Sequence, residues 1–182
     1  GLSGKTIIGF TGFVREWDRL DRVVRWLATA RDGAGKDAHL LVIGDGPARA
    51  TVEECARECG VHDRVTFTGI VARAQVPAMA MAFDIALQTA LVPYASPLCL
   101  FEYMGLSKAI VAPDQPNHLE LLTNGVNAIL YDPQDERGIE KALESLCVNA
   151  DLRQHLASNV SAIISEKGLT WMQHAAKVKR LF

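Results

Sequence analysis

The chain has 182 residues, of which 49% are hydrophobic, 22% charged and 7% aromatic, and its formal net charge is −2. Plentiful apolar residues exclude intrinsic disorder, and four Cys in this length exclude a disulfide scaffold. Charged and turn residues break every apolar run short of the about 18–20 residues of a membrane span. The near-zero charge balance argues against non-specific nucleic-acid binding, which needs a surplus of basic residues.

Apolar strands alternate with amphipathic helices along most of the chain. The predicted strands are Lys5–Thr11, His39–Ile43, Val65–Thr68, Ile85–Thr89, Ala109–Ala112 and Asn127–Tyr131. The helices predicted between them are Trp17–Ala30, one carrying Val52, Cys55, Ala56 and Cys59 and ending at Gly60, then Pro77–Phe83, Leu98–Leu106 and Asn117–Thr123. Three more are predicted at Gln134–Val148, Asp151–Glu166 and Thr170–Leu181, with Asp132 and Asn149 at helix entries as capping residues.

This alternation predicts an α/β fold: a doubly wound, mainly parallel six-stranded Rossmann-like sheet with helices on both faces and extra helices at the C-terminus. Ligands of such sheets bind beyond the carboxyl ends of the strands. We therefore expect function in the loops after Gly12, Gly44, Gly69, Thr89 and Ala112.

The segment Gly44-Asp45-Gly46-Pro47 resembles part of a dinucleotide fingerprint, but it follows the second strand and carries Arg49 where the third glycine belongs. The favoured interpretation is a tight turn whose Pro47 opens a helix, and phosphate binding is the alternative.

The cysteines and histidines do not predict a metal site. Cys55 and Cys59 lie one helical turn apart on an apolar stripe, as core cysteines do, and Cys147 ends another such stripe. The five His are scattered without metal-ligand spacing. This use of cysteine fits a reducing, cytoplasmic compartment.

Four arginines recur at helical spacing in the first predicted helix and the loop before it: Arg15, Arg19, Arg22 and Arg25. A solvated helix face is the simpler interpretation. For Arg15 alone, a position beside a helix N-terminus also suits a bound phosphate.

The most informative segment precedes and begins the helix after the fourth strand. Ser96 is a natural N-cap and Pro97 a natural first helical residue, so unpaired N–H groups there would form an anion site facing the predicted ligand edge. Glu102 lies one turn further on, among apolar residues. It could accept hydrogen bonds from sugar hydroxyls, or it could be a structural carboxylate bonded to a neighbouring loop.

At these residues the chain resembles the C-terminal domain of a group 1 glycosyltransferase, a retaining family with the GT-B fold. The stretches that carry the resemblance occur in the family's order and cover essentially the whole chain. They are Ile8–Gly12, Leu41–Pro47, Arg64–Gly69, Ser96–Leu98 with Phe101–Met104, Ile110–Pro113 and Asn124–Ala128.

The resemblance implies that residues 1–182 form one domain, the half of a two-domain enzyme that binds a nucleoside diphosphate sugar, UDP- or GDP-linked. A missing N-terminal domain would bring the acceptor, a glycan or lipid-linked sugar. The sugar would move to an acceptor hydroxyl with retention, in polysaccharide, lipopolysaccharide or glycoconjugate synthesis. No cofactor, metal or nucleic-acid partner is expected. The implied location is cytoplasmic, with peripheral contact to the inner face of the membrane through the missing domain.

The resemblance also implies roles for individual residues. Glu102 matches the second Glu of the family's E-x7-E motif and would bind the ribose hydroxyls, while Arg15 would lie near the diphosphate. Residues 69–71 and Arg73 would border the base, and the N–H groups around Pro97, Leu98 and Cys99 would face the diphosphate. The full expected donor-binding set is Gly12, Gly69, Ile70, Val71, Arg73, Ser96, Pro97, Leu98 and Cys99.

The chain departs from the family's pattern at several positions. Tyr94 stands where the first Glu of E-x7-E would fall, Phe13 and Asp18 replace basic residues of the first loop, and Cys99 replaces a Lys found in some members. Tyr94 favours an alternative, a nucleotide-binding or regulatory module without transfer chemistry. A nicotinamide-dependent oxidoreductase is a third hypothesis, but the first strand is not followed by its glycine fingerprint.

Overall fold

The computed structural model describes residues 2–92, 94 and 98–180, with the backbone alone at His174 and Lys177. The strands in these ranges are β1 (Thr6–Phe13), β2 (Ala38–Asp45), β3 (Val65–Phe67), β4 (Ile85–Leu87), β5 (Ala109–Pro113) and β6 (Ile129–Tyr131). The helices are α1 (Leu20–Thr29), α2 (Arg49–Glu58), α3 (Val76–Ala80), α4 (Leu98–Gly105), α5 (Pro116–Leu119), α6 (Gly138–Cys147), α7 (Ala150–Glu166) and α8 (Trp171–Lys179).

The strands form one sheet in the order β3-β2-β1-β4-β5-β6, and every neighbouring pair is parallel. The predicted doubly wound fold is confirmed. β1 pairs with β2 along its whole length, from Thr6 to Phe13, but with β4 only at Ile8 and Gly9. Because the order reverses between β1 and β4, the two strands part there and a crevice opens beyond their carboxyl ends.

Apolar residues of the strands other than β3 alternate between two cores, one on each face of the sheet. On one face, Ile8 and Ile85 pack with Trp26 of α1 and Leu143 of α6. On the other face lie side chains of α3, α4 and α7, Tyr103 of α4 among them. Strands buried on both faces are apolar throughout, which is why these segments could be recognised in the sequence.

The predicted start of the helix Trp17–Ala30 is wrong. Glu16–Asp18 is a single 3-10 turn, and Arg19 has a left-handed backbone (φ 49°) before α1 begins at Leu20. The Asp18 carboxylate accepts a hydrogen bond from the Arg15 N–H at 2.8 Å, and the Thr89 hydroxyl donates to the Asp18 carbonyl at 2.5 Å. These contacts close the turn and separate it from the helix.

Other boundaries also differ from the predictions. α6 begins at Gly138 rather than Gln134, because Asp132 caps a turn instead and accepts from the Gln134 N–H at 2.8 Å. The Asn149 cap is confirmed, since its side chain accepts from the Leu152 N–H at 2.9 Å. Further corrections are α5 at Pro116–Leu119 instead of Asn117–Thr123, β6 from Ile129 instead of Asn127, and α2 from Arg49, two residues after Pro47. α3 is Val76–Ala80 instead of Pro77–Phe83, and β4 ends at Leu87 instead of Thr89.

Two histidines are buried among the side chains that the structure describes. His118 is fully buried, with Nδ1 2.9 Å from the Pro113 carbonyl oxygen, and Nε2 has no hydrogen-bond partner in the part of the chain that the structure describes. Burial lowers the pKa of His118, although its backbone acceptor acts in the opposite direction. Burial lowers the pKa of His39 as well, and the nearby Arg64 adds to that effect.

Because the folded domain holds both imidazoles neutral while the unfolded chain takes up protons near pH 6.5, we expect stability to fall as the pH drops below that value. The linkage slope for each His is at most about 1.4 kcal/mol per pH unit. Urea denaturation at pH 7.5 and 5.5 measures the loss. His118→Asn should be less stable at pH 7.5 but lose less on acidification, whereas the exposed control His62→Gln should follow the wild type. Equal acid losses in His118→Asn and wild type would contradict this assignment.

Candidate functional site

A cleft of about 470 Å³ opens at the carboxyl edge of the sheet, where β1, β2 and the loop after β3 face the start of α4. Its lining is mainly apolar, with charged side chains at its margins. The lining residues are Thr11, Gly12, Phe13, Ile43, Gly44, Asp45, Ile70, Val71, Arg73, Val76, Leu98, Cys99 and Glu102. This is the edge at which doubly wound sheets bind ligands.

The cleft brings together most of the residues singled out in the sequence. Gly12 after β1 and Glu102 of α4 lie on it, as do the predicted residues of two further segments: Ile70, Val71, Arg73, Leu98 and Cys99. Gly69 borders it and forms an isolated antiparallel bridge with Gly44. Ser96 and Pro97 lie outside the described residues. Arg15 does not line the cleft.

The turn after β2 is built by close backbone approach, as its tight-turn interpretation requires. Gly44 has φ +145°, and a Cβ there would lie 1.9 Å from the carbonyl oxygen of Gly12. A Cβ at Gly46 would lie 2.2 Å from the Val14 carbonyl oxygen. The Asp45 carboxylate accepts from the Gly46 N–H at 2.8 Å and pairs with Arg49 at 3.2 Å.

Sequence reasoning gave Gly44 and Asp45 a ligand role only as an alternative, and it gave none to Thr11, Phe13, Ile43 and Val76. Most of these end a strand at the edge already expected to bind ligand, and that position was the available signal.

Arg15 contacts two aromatic rings, one of which, Phe13, lines the cleft. Its guanidinium carbon lies 5.1 Å from the Phe13 ring centroid and 4.9 Å from that of Trp17. Both rings are partly exposed, at 58% and 45%. Each such contact is worth about 0.5–1 kcal/mol at an exposed site, so the stack favours this orientation without locking it.

The predicted arginine row does not form one helix face. Arg15 and Arg19 precede α1, and only Arg22 and Arg25 lie in it. Arg19 pairs with Asp21 at 3.3 Å. Arg22 donates to the backbone carbonyls of residues 135 and 136.

The Glu102 carboxylate is exposed on the cleft side of α4. None of the residues in the described ranges donates a hydrogen bond to it or forms an ion pair with it, so the structural alternative has no bonding partner there. Tyr103, the next residue, is fully buried. The helix therefore presents one carboxylate to the cleft and packs its opposite side against the sheet.

Cys99 is partly buried and directly precedes the turn of α4 that carries Glu102. Its Sγ donates to the Gln88 Oε1 at 2.7 Å. Burial raises the pKa of the Cys99 thiol to about 12, and the Glu102 charge acts in the same direction. At neutral pH the thiol is therefore protonated, and it is a hydrogen-bond donor rather than a nucleophile.

Two other kinds of site are not seen in the described part of the chain. No group of three or more His, Cys, Asp or Glu side chains is arranged there to hold a metal ion. The helices in those ranges include none with the length and apolar character needed to cross a bilayer.

A known protein family matches most of this chain. The sequence family described as "Glycosyl transferases group 1" matches residues 5–149. The chain belongs to the group 1 glycosyltransferases. It is 24% identical over 167 residues to the alpha-D-kanosaminyltransferase of Streptomyces kanamyceticus. The aligned region covers 92% of this chain and 43% of that protein. It is 38% identical over 84 residues to the 2-deoxystreptamine glucosyltransferase of the same organism, which is 46% of this chain and 21% of that protein.

Solved structures show the same fold. HepE of Anabaena, in complex with UDP and glucose, superposes with a TM-score of 0.85 at 21% identity, covering 100% of this chain and 50% of that one. The C-terminal domain of the group 1 glycosyltransferase LpcC of Francisella tularensis superposes with a TM-score of 0.77 at 22% identity, covering 90% of this chain and 86% of that one. The chain thus has the Rossmann-like fold of a GT-B C-terminal domain, and it spans half or less of the length of its full-length relatives.

The close approach at Gly44 predicts the cost of a single methyl group. Gly44→Ala forces strain at a positive φ and an overlap with the Gly12 carbonyl, so we expect a loss of about 2–6 kcal/mol in stability. Gly33→Ala is the matched control, since a Cβ there meets nothing within 4 Å. Thermal melts of both variants measure the difference. A Gly44→Ala melt that matches Gly33→Ala would show that the two loops are not in contact.

Proposed function

We propose that this domain is the nucleotide-sugar-binding half of a glycosyltransferase that moves a sugar, with retention, from a nucleoside diphosphate to an acceptor hydroxyl. The observation that carries the proposal is the exposed Glu102 carboxylate, without a partner among the described residues, in the cleft at the ligand-binding edge of the sheet. The UDP bound to HepE, a protein of the same fold, supports a nucleotide as ligand.

In this proposal each wall of the cleft contacts a different part of the donor. The Glu102 carboxylate accepts hydrogen bonds from ribose hydroxyls, and charge-assisted bonds of this kind are among the strongest available. Residues 69–71 and Arg73 border the base, which suits the apolar surface of Ile70 and Val71. Ser96 and Pro97, ahead of α4, stay predictions as part of the diphosphate site.

The leaving diphosphate gains negative charge as the bond to the sugar breaks. Backbone N–H groups of Leu98 and Cys99, at the start of α4, carry no partner within the helix and suit that charge. Arg15 could add a cation by leaving its stack on Phe13 and Trp17, at the modest cost of those exposed contacts. The protonated Cys99 thiol takes no part as a nucleophile.

The acceptor belongs to the proposal for the whole enzyme. We propose that a second, N-terminal domain binds it, since the relatives are about twice as long. A glycan or lipid-linked sugar is the expected acceptor. A relative in Rhizobium meliloti, 26% identical over 166 residues, is the lipopolysaccharide core biosynthesis glycosyltransferase LpsD. The proposed location is cytoplasmic, at the inner face of the membrane where such acceptors are available.

A second candidate function is nucleotide binding without transfer. It is favoured by Tyr94, which is 91% exposed and stands where the family's first Glu would contact the sugar. A donor site with a sugar contact should bind UDP-glucose or GDP-mannose at least as tightly as the free nucleotide. A module without one should bind the free nucleotide more tightly.

Calorimetric titration with UDP, GDP and ADP tests the proposal directly. We expect saturable binding of one of them, weakened about 10–100-fold by Glu102→Ala, because that variant loses a hydrogen bond to a charged acceptor worth about 1.5–3 kcal/mol. Melting temperature should change little, since the side chain is exposed.

Glu58→Ala is the control for charge. Glu58 is exposed on α2, and its loss raises the net charge by the same amount without touching the cleft, so wild-type affinity is expected. Equal binding by Glu102→Ala and wild type would remove Glu102 from the site. No binding by the wild-type chain to any of the three nucleotides would argue against this half as an independent donor site.

A further inference from the structure

The Thr11 N–H lies where the sheet opens. β1 and β4 pair only at Ile8 and Gly9, so on that side Thr11 has no strand neighbour. Its N–H donates instead to the Tyr103 hydroxyl at 2.8 Å, and Thr11 Oγ1 lies 3.0 Å from the same oxygen. The phenol oxygen thus takes the place of the backbone carbonyl that a longer β4 would have supplied.

The Tyr103 ring is fixed by its surroundings. It is fully buried, and it meets the Phe83 ring edge-to-face at a centroid distance of 6.2 Å and an interplanar angle of 65°. Phe83 in turn lies on Gly9, where a Cβ would come within 2.0 Å of the ring. Burial raises the pKa of Tyr103 well above its usual value, so the hydroxyl keeps its proton. The hydrogen bond between them keeps both the Tyr103 hydroxyl and the Thr11 N–H from being buried without a partner.

This contact joins two walls of the cleft. Thr11 leads directly into Gly12 and Phe13, which line the cleft beyond β1. Tyr103 directly follows Glu102, whose carboxylate is exposed in the cleft from α4. A shift in the hydrogen bond between Thr11 and Tyr103 would therefore change the distance between the loop after β1 and the Glu102 carboxylate. Tyr103 would have this effect although it does not itself line the cleft.

We propose that Tyr103 is a positioning residue of the donor site, whose hydroxyl holds the Gly12–Phe13 wall in register with Glu102. The inference rests on the proposed function of the cleft. Misplacement of a binding group by about 1 Å is costly, so a buried hydroxyl can control affinity without touching the ligand. In the sequence, Tyr103 looks like one more apolar position of a helix, and no local pattern indicates a positioning role.

Tyr103→Phe tests the proposal, because it keeps the ring and removes the acceptor of the Thr11 N–H. With whichever nucleotide of UDP, GDP and ADP the wild type binds, we expect about 5–20-fold weaker affinity at a temperature where the variant is fully folded. Amide hydrogen exchange at Thr11 should become at least about tenfold faster. In the Glu102→Ala background the same change should cost no more than about twofold, because the carboxylate to be positioned is gone.

Tyr131→Phe is the matched control. Tyr131 is a buried tyrosine on β6, at the far edge of the sheet, and its hydroxyl should be dispensable for both affinity and exchange at Thr11. A folded Tyr103→Phe variant with wild-type affinity overturns the proposal, whatever its melting temperature.

Two further results separate this inference from the proposed function. If the wild type binds none of the nucleotides, the proposed function fails and the role of Tyr103 in a donor site fails with it. Exchange then decides the contact alone: unchanged exchange at Thr11 in Tyr103→Phe overturns it, and faster exchange confined to Thr11–Phe13 and α4 supports the coupling of the two walls. If Tyr103→Phe does not fold, the wild-type amide decides. Slow exchange at Thr11 supports the contact, and exchange as fast as in exposed loops overturns it.

Discussion

The parting of β1 from β4 is the constraint on which the rest of the site depends. β1 is paired with β2 along eight residues but with β4 at only two, Ile8 and Gly9. Had β4 continued, its backbone would fill the space now open to a ligand. The crevice is thus a consequence of strand length and strand order, and the loops after β1, β2 and β3 and the start of α4 are brought to it by the topology alone.

Opening a sheet leaves backbone groups without partners, and the fold meets that demand with side chains from distant parts of the chain. The Tyr103 hydroxyl, 92 residues away in sequence, satisfies Thr11. Outside the sheet, in the 3-10 turn before α1, the Thr89 hydroxyl satisfies the carbonyl of Asp18 across 71 residues in the same way. Both bonds are buried, and the one at Thr11, a residue of the cleft lining, pairs a group of the opened edge and so helps to define the shape of the cleft.

Much of this architecture could be predicted from the sequence, because strands buried on both faces and amphipathic helices follow local patterns. All six strands were found, and so was the edge that carries the cleft. The errors occur where long-range contacts override local preference. Arg19 adopts a left-handed backbone because Asp18 and Thr89 close the preceding turn. The spacing of apolar residues carries no information on that turn and predicts a single helix over Trp17–Ala30. Asp132 is a good capping residue, but the turn at residue 134 uses it before α6 begins.

The site shows the same division between local and distant information. Glu102 could be selected because a carboxylate on an otherwise apolar helix needs a reason, and the resemblance to a family then suggested one. Arg15 was placed near a diphosphate by its loop, whereas its orientation depends on Phe13 and Trp17, whose rings attract it. No pattern of single residues predicts that a tyrosine in an apolar helix will complete a hydrogen bond of β1.

The two outermost strands, β3 and β6, are only three residues long. A long exposed strand offers a row of unpaired N–H and carbonyl groups on which a second chain can add a strand, and short edges are one way in which native proteins limit this. At either end of this sheet a neighbouring molecule finds room for few hydrogen bonds. The domain can therefore keep an open crevice in the middle of its sheet, while its short edge strands offer a second chain few backbone groups to pair with.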